Sequence, residues 1–296
     1  MNKNICSVIT VFNPDTNKLM KNIDIQLEYI DRIYLSVNSW KNRPFIDSKR
    51  ITIIDNRKNI GLSKAINKCI RQAVNDCFNY TILFDQDSYL VKENFELLFN
   101  EFIAAERIQK ISCIGPSLNV RNNLITIPRW TKENKTIKIN DVFSVKNIIT
   151  SGMLLNNEYF ISLGGFDERF PVDFCDFLFC WKSTYNGYLV LQSTNAYIKH
   201  EIGTNNINIK GHTLHFHAPY RNYFLVRDTL NICLLVKETP FFIRLRFLFF
   251  LPFRMLLFLF LLENKNTRLR MYWYGLKDFL MLQHGFGSIK HILDAE

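Results

Sequence analysis

The feature that most limits what this chain can become is an alternation held over its first 115 or so residues. Short β-rich runs recur at Ile5–Val11, Arg32–Val37, Arg50–Ile54, Tyr80–Phe84 and Ile111–Ile114. Between several of them lie segments with helical character: Thr16–Tyr29, Gly61–Cys77 and Val91–Arg107. The Gly61–Cys77 segment is the clearest. Leu62, Ala65, Ile66, Cys69, Ile70, Ala73, Val74 and Cys77 fall at i, i+3, i+4, i+7 spacing, so both Cys69 and Cys77 are expected on a buried stripe. Strands alternating with helices predict an α/β chain with a mainly parallel sheet and right-handed crossovers. Ligands of such sheets sit beyond the carboxyl ends of the strands.

The rest of the chain is less regular. Leu118–Lys146 is polar, with Pro128 and Trp130, and reads as a hairpin or loop. Ser144–Leu155 regains β character, Pro171–Thr184 reads as a helix, and Tyr188–Gln192 and Ala196–Lys199 read as two last strands. Beyond about residue 205 the character changes. Thr239–Leu262 is apolar but carries Arg244, Arg246 and Arg254, with Pro252 expected to break it. Its longest uncharged stretch, Met255–Leu262, is far short of the about 18–20 residues that span a bilayer. Arg interspersed with Phe and Leu suits a helix lying in a membrane interface; the other reading is a buried helical pair. The net charge of +10 favours an anionic partner, but the positive residues are scattered, so no nucleic-acid partner is expected. Seven Cys with no C-x-x-C pair, behind an N-terminus without a long apolar run, read as free thiols in a reducing cytoplasm.

Chemistry concentrates where strands end. The run Thr81-Ile82-Leu83-Phe84 stops at Asp85-Gln86-Asp87-Ser88. Two carboxylates around one neutral residue, at a strand's carboxyl end, offer hard oxygens for Mg²⁺ or Mn²⁺ or cap the next helix. Ser151-Gly152-Met153 lies at a strand start, Gly164-Gly165-Phe166-Asp167-Glu168 follows, and Asp173 and Asp176 make a second carboxylate pair near a helix start. His200 closes the last strand and is a candidate third metal ligand.

These residues resemble those of the family 2 glycosyltransferases of GT-A fold, nearest to the bacterial rhamnosyltransferases. Val8–Pro14 resembles the opening V-x-x-T-Y/F-N-P strand, and Asn59–Asn67 the N-x-G-x-x-x-A-x-N helix start. Phe84–Ser88 matches L-D-Q-D-S, Gly164–Phe170 matches G-G-F-D-E-x-F, His200–Gly203 matches H-x-x-G, and His217–Arg227 resembles R-x-Y-x-x-x-R. The likeness runs over nearly the whole chain. It implies a GT-A nucleotide-diphospho-sugar transferase domain at residues 1–205, with a mixed, mainly parallel sheet flanked by helices. A helical, membrane-associating region would fill residues 206–296. It further implies that Thr10, Phe12, Asn13, Asn38, Asn59, Gly61 and Gln86 line the nucleotide-sugar pocket. Asp85, Asp87 and His200 would hold a divalent cation on the donor diphosphate. Arg221 and Arg227 would contact phosphate, or be ordinary helix-surface charges.

Asp176 stands at the position of the family's catalytic base, with Asp173 as the competitor whose other role is a helix cap. One base and no evident nucleophile imply inversion. The implied donor is dTDP-rhamnose and the implied acceptor a lipid-linked saccharide of cell-surface polysaccharide, met by a protein peripheral on the cytoplasmic membrane leaflet. Two departures stand out. Val37 replaces the Asp that many relatives carry before Asn38, and Leu178 and Lys182 replace an acidic residue and an Arg after Asp176. Val37 and Leu178 keep open a second reading, a non-catalytic, membrane-associated component of a polysaccharide assembly complex.

Overall fold

The computed structural model describes residues 4–120, 123–125, 138–139, 142–199, 206–209, 212–215 and 218–293. The chain divides into two units. One is Met1–Asp167 with Cys175–Glu201; the other is Glu168–Phe174 with Ile202–Glu296. Residues 168–174, placed by sequence with the first domain, join the second unit.

The first unit contains β1 (Ile5–Phe12), α1 (Thr16–Leu27), β2 (Arg32–Ser39), β3 (Ile51–Asp55), α2 (Leu62–Asn75), β4 (Tyr80–Asp85), α3 (Lys92–Glu106), β5 (Ile111–Val120), β6 (Asn123–Ile125), β7 (Lys138–Ile139), β8 (Val142–Ser144), β9 (Leu154–Asn156), α4 (Asn157–Ser162), α5 (Cys175–Tyr185) and β10 (Leu189–Lys199). Among the described residues the main sheet runs β3-β2-β1-β4-β9-β5-β10-β8-β7, with β6 paired to β5. β1 is parallel to β2 and β4, β2 to β3, and β5 to β10, whereas β9 is antiparallel to both β4 and β5. This is the mixed, mainly parallel sheet expected, with the antiparallel β9 wedged at its centre.

Both faces of the sheet are covered, so strand residues are apolar in both directions. Along β1, Ile5, Ile9 and Val11 face a core shared with Leu19 and Ile23 of α1 and with Phe95, Leu98 and Phe102 of α3. Cys6 and Val8 face the other core, built with Ile66, Cys69 and Ile70 of α2 and with Phe160, Phe166 and Phe179. Val37 belongs to the first core, so the position where relatives carry Asp is here a packing position.

Several local expectations are corrected. α2 ends at Asn75, and Cys77 sits beyond it, exposed and with φ of 65°, so it leaves the buried stripe that Cys69 occupies. β10 is one strand rather than two: its register against β5 shifts between Gln192 and Tyr197, where the Ser193 hydroxyl accepts from the amides of Asn195 (3.2 Å) and Ala196 (2.9 Å). α5 begins at Cys175, not near Pro171, because Phe174 has a φ of 68° that no right-handed helix can include.

The second unit carries the expected helical C-terminal region: after a hairpin of β11 (Asn206–Ile209) and β12 (His212–His215) come α6 (Arg221–Leu234), α7 (Phe241–Leu261) and α8 (Lys265–Leu280). α6 is buried on nearly every side, even at Arg227, Asp228 and Asn231. α7 runs straight through Pro252 instead of stopping there. A proline removes one backbone donor, and a helix survives that loss when its other turns hold. Leu251 is the one residue of α7 that is buried, and it is still 8% exposed. Phe242, Leu245, Phe249, Phe253, Leu256 and Phe260 form an exposed apolar row, with Phe242 79% and Phe260 77% exposed. Among the described residues, no helix is long and apolar enough to cross a membrane.

Candidate active site

The carboxyl ends of β1, β2, β3 and β4 form the edge where the predicted residues gather. Thr10 of β1 is in register with Asp85 of β4 on one side and with Ser36 of β2 on the other. Its hydroxyl is buried and has no hydrogen-bond partner in the structure. A strand-end hydroxyl of this kind fits a site that takes a polar ligand.

Asp85 is positioned from its far side. The Gly152 amide donates to the Leu83 carbonyl (2.8 Å) and the Leu83 amide to the Met153 carbonyl (2.9 Å), which pins the 151–153 turn to β4. Gly152 takes a φ of 79°, and a Cβ there would lie 2.7 Å from the Pro116 ring, so only glycine lets the turn close. The turn delivers Ser151, whose hydroxyl donates to Asp85 Oδ2. The Asp85 amide donates to Ser88 Oγ (3.1 Å), which closes the Asp-Gln-Asp-Ser loop. Gln86 is a brace: its Oε1 accepts from the Phe12 amide (2.9 Å) and its carbonyl from Asn22 Nδ2 (3.1 Å). Asp87 is exposed at the tip.

On the β2–β3 side, an asparagine network shapes the edge. Asn38 Oδ1 accepts from Asn56 Nδ2 (3.1 Å) and the Ile60 amide (3.3 Å), and Asn38 Nδ2 donates to the Gly61 carbonyl (3.4 Å). Asn56 also donates to Ser36 Oγ (2.9 Å). Asn59 Oδ1 accepts from the Gly61 amide (3.0 Å). Gly61, at φ 84° and ψ 168°, is the last residue before α2. Asn13, at φ 44°, is clasped to β2: its amide donates to the Ser39 carbonyl (2.9 Å) and its Oδ1 accepts from Ser39 Oγ (2.6 Å). The Phe12 side chain is exposed beside it.

Asp176 lies in the first turn of α5, half-buried, and its Oδ1 accepts from the Phe177 amide (2.8 Å). A carboxylate at a helix N-terminus is favoured in its charged form. Leu178 is buried, so the position that is acidic in relatives faces the core here.

Three further candidates belong to the second unit. Asp173 belongs to the second unit and pairs there with Arg221. Arg227 corrects both sequence readings. It is 0% exposed, so it is neither a surface charge nor open to a phosphate. Its guanidinium donates to Asp228 Oδ1 (2.6 Å), to the Tyr223 hydroxyl (2.8 Å) and to the Gly285 carbonyl. Tyr223 donates on to Asp278 (2.6 Å), which also accepts from the Ser288 amide (2.7 Å) and hydroxyl (2.6 Å). Burial pushes the Asp278 carboxyl up, but the bonds from Ser288 and Tyr223 and the Arg227 charge outweigh it and hold the group below the usual carboxylate range.

His200 and the H-x-x-G stretch lie outside the described residues. Among the described residues, no three His, Cys, Asp or Glu side chains cluster to hold a metal. Two carboxylates fit Mg²⁺ or Mn²⁺ that completes its shell with donor phosphate oxygens and water.

Two contacts had no sequence signal strong enough to single them out. In the sequence Ser151 stands out only as part of the Ser-Gly-Met run. Asn67, in α2, donates from Nδ2 to the Phe166 carbonyl (2.8 Å) and accepts at Oδ1 from the Phe166 amide (2.9 Å). It thereby joins the Asn59–Asn67 stretch to the Gly-Gly-Phe turn.

Residues 31–164 match the family model for glycosyl transferase family 2. The chain is 27% identical over 243 residues to dTDP-rhamnosyl transferase RfbF of Shigella flexneri, covering 77% of this chain and 79% of that protein. Solved structures share the fold at low identity. Staphylococcus aureus TarS 1-349 in complex with UDP-GlcNAc aligns with a TM-score of 0.55 at 14% identity, over 94% of this chain and 80% of that one. GalNAc-T7 crystallised with UDP, GalNAc and Mn²⁺ aligns with a TM-score of 0.54 at 12% identity, over 86% of this chain; this chain spans 56% of that one. The sheet order, the braced Asp85–Asp87 edge and these matches together give the chain a GT-A fold that matches glycosyl transferase family 2 over residues 31–164 and is similar over most of its length to a dTDP-rhamnosyl transferase.

Proposed function

We propose that this protein transfers L-rhamnose from dTDP-rhamnose, with inversion, to a lipid-linked saccharide acceptor in cell-surface polysaccharide synthesis. The observation that carries the reading is the Asp85-Gln86-Asp87 loop, braced at the sheet edge by Ser151, Ser88 and Phe12 beside the unpartnered Thr10 hydroxyl. The donor follows from the similarity to a dTDP-rhamnosyl transferase. Asp85 and Asp87 would hold the divalent cation, which neutralises charge on the departing diphosphate when bound. Thr10 and the Asn38–Asn59 network would seat the nucleoside. Asp176 would accept the proton of the attacking acceptor hydroxyl, the work of an ionised carboxylate within hydrogen-bond reach. The exposed Phe and Leu row of α7, flanked by Arg246 and Arg254, supports peripheral attachment to an anionic leaflet, where a lipid-linked acceptor resides.

The test is transfer from a panel of nucleotide sugars with Asp176→Asn alongside. That change keeps size and removes basicity. It is expected to leave donor binding intact and to lower turnover by roughly 10²–10⁴-fold, the scale of general-base catalysis. Wild-type protein that neither transfers nor hydrolyses any donor would favour the non-catalytic reading instead.

A further inference from the structure

Seven residues before α5 carry more structure than a connection needs. Glu168–Phe174 belong to the second unit although α5, which they lead into, belongs to the first. Their first anchor is Arg169, whose carbonyl accepts from the Gly285 amide (3.1 Å) and from Arg227 Nη2 (3.5 Å). Val172 packs on the cluster of Tyr223, Phe224, Met271 and Ile289. Their last anchor is Asp173, held by Arg221 at the first residue of α6, each side chain less than a third exposed. The charge of Asp173 also acts on Arg254 of α7. Next comes Phe174 at φ 68°, a left-handed conformation that a bulky residue adopts only when its surroundings impose it. Its ring lies 5.9 Å from that of Phe247. α5 starts at the following residue, and Asp176 is two residues past the strained one.

We propose that Arg221 is a positioning residue for Asp176: by clamping Asp173 it holds the left-handed turn at Phe174, and so fixes where α5 begins and where its first-turn carboxylate points. This rests on the reading of Asp176 as the general base. It gives Asp173 and Arg221 one joint role, in place of the separate roles of base and phosphate ligand that the sequence offered. Release of the clamp lets Phe174 relax toward ordinary φ values. The peptide that sets the first turn of α5 then rotates, and a small displacement of a catalytic group costs up to about a hundredfold in rate.

The test uses the full-length protein with Arg221→Gln, Asp173→Asn, the double variant and Arg221→Lys. Two readouts are taken: steady-state kinetics with the donor varied, and hydrogen exchange of amides 174–178. Each single change is expected to lower kcat by about ten- to a hundredfold, with the donor KM within about twofold. The double variant should be no worse than either single, because one interaction is lost once, and Arg221→Lys should recover part of the rate. Amide exchange at 174–178 should quicken in all but the lysine variant. A raised donor KM at unchanged kcat in Arg221→Gln would return Arg221 to the donor phosphate. A far larger loss in Asp173→Asn than in Arg221→Gln would make Asp173 the base. Unchanged exchange at 174–178 overturns the clamp whatever the kinetics. If the wild type turns over no donor at all, the proposed function falls, while the exchange comparison still decides the clamp.

Discussion

Replacing Asn67 with alanine tests how the first unit is tied together. Asn67 and Phe166 are both buried, and the asparagine amide satisfies the amide and the carbonyl of Phe166 at once. Alanine leaves that N–H and that C=O unpaired away from water. Each buried group so orphaned costs about 1–3 kcal/mol, hence roughly 2–6 kcal/mol for the pair. For a unit of this size each kcal/mol lowers Tm by about 2–4 °C. A loss near the middle of the range therefore corresponds to a fall of about 8–16 °C. Asn67→Asp discriminates further. It can still accept from the Phe166 amide but cannot donate to the carbonyl, and it buries a charge; it should be at least as damaging as alanine. Gly165→Ala attacks the same clasp from the other side, since its Cβ would lie 2.7 Å from Asn67 Oδ1 at a φ of 69°. Urea unfolding followed by circular dichroism reads all three. A loss below about 0.5 kcal/mol in Asn67→Ala, or an aspartate variant more stable than the alanine one, would refute the two-bond account.

Asp87→Ala should abolish transfer and remove any Mn²⁺-dependent rise in Tm caused by a nucleoside diphosphate while the fold survives; full activity in excess EDTA would remove the cation from the account. The apolar row of α7 should carry the protein up with anionic vesicles in a flotation assay, more weakly at high salt, and Phe242→Ser/Phe249→Ser/Phe260→Ser should stay at the bottom. Protein that carbonate cannot extract from membranes, or that never floats, would contradict peripheral attachment. Asp76 sets an acid limit: the Tyr34 hydroxyl (2.5 Å), with Gln72 and Arg32, holds its carboxyl below the ordinary range. A depressed folded pKa contributes stability that is present above the unfolded value near 3.9 and lost as pH falls toward the folded one. The stability gap between wild type and Asp76→Asn should therefore be constant at neutral pH and shrink below about pH 4, as read by urea titrations across that range.

Much of the first unit could be read from the sequence because its signals are local. The helical stripe of Leu62–Ala73 and the apolar run stopped by Asp85 each need only a dozen neighbouring residues to interpret. The errors occurred where a single backbone angle or a distant partner decides. Nothing in the spacing of Cys77 says that the helix has ended two residues earlier, and nothing around Phe174 announces a left-handed turn. The apparent gap between Gln192 and Ala196 is a register shift inside one strand, capped by Ser193. Arg227 reads as a surface charge because its partners are non-local: Gly285 lies 58 residues away, and Tyr223, which it also contacts, reaches Asp278 across 55 residues. Ser151 was visible as a residue type, but its meeting with Asp85 depends on β9 returning antiparallel to β4.

The excursion of Glu168–Phe174 into the second unit also bears on how this protein can be taken apart. The peptide crosses from one unit to the other three times, at 167/168, 174/175 and 201/202, so the units are interleaved rather than strung end to end. A protein shortened at residue 205 would keep Val172 while deleting Tyr223, Phe224, Met271 and Ile289, the residues it packs on. It would also strip Asp173 of Arg221 and Arg169 of Gly285. Exchanging the C-terminal helices between relatives faces the same obstacle: a chimera that keeps its interior intact has to carry residues 168–174 along with the donor's helices, as two separate insertions into one gene.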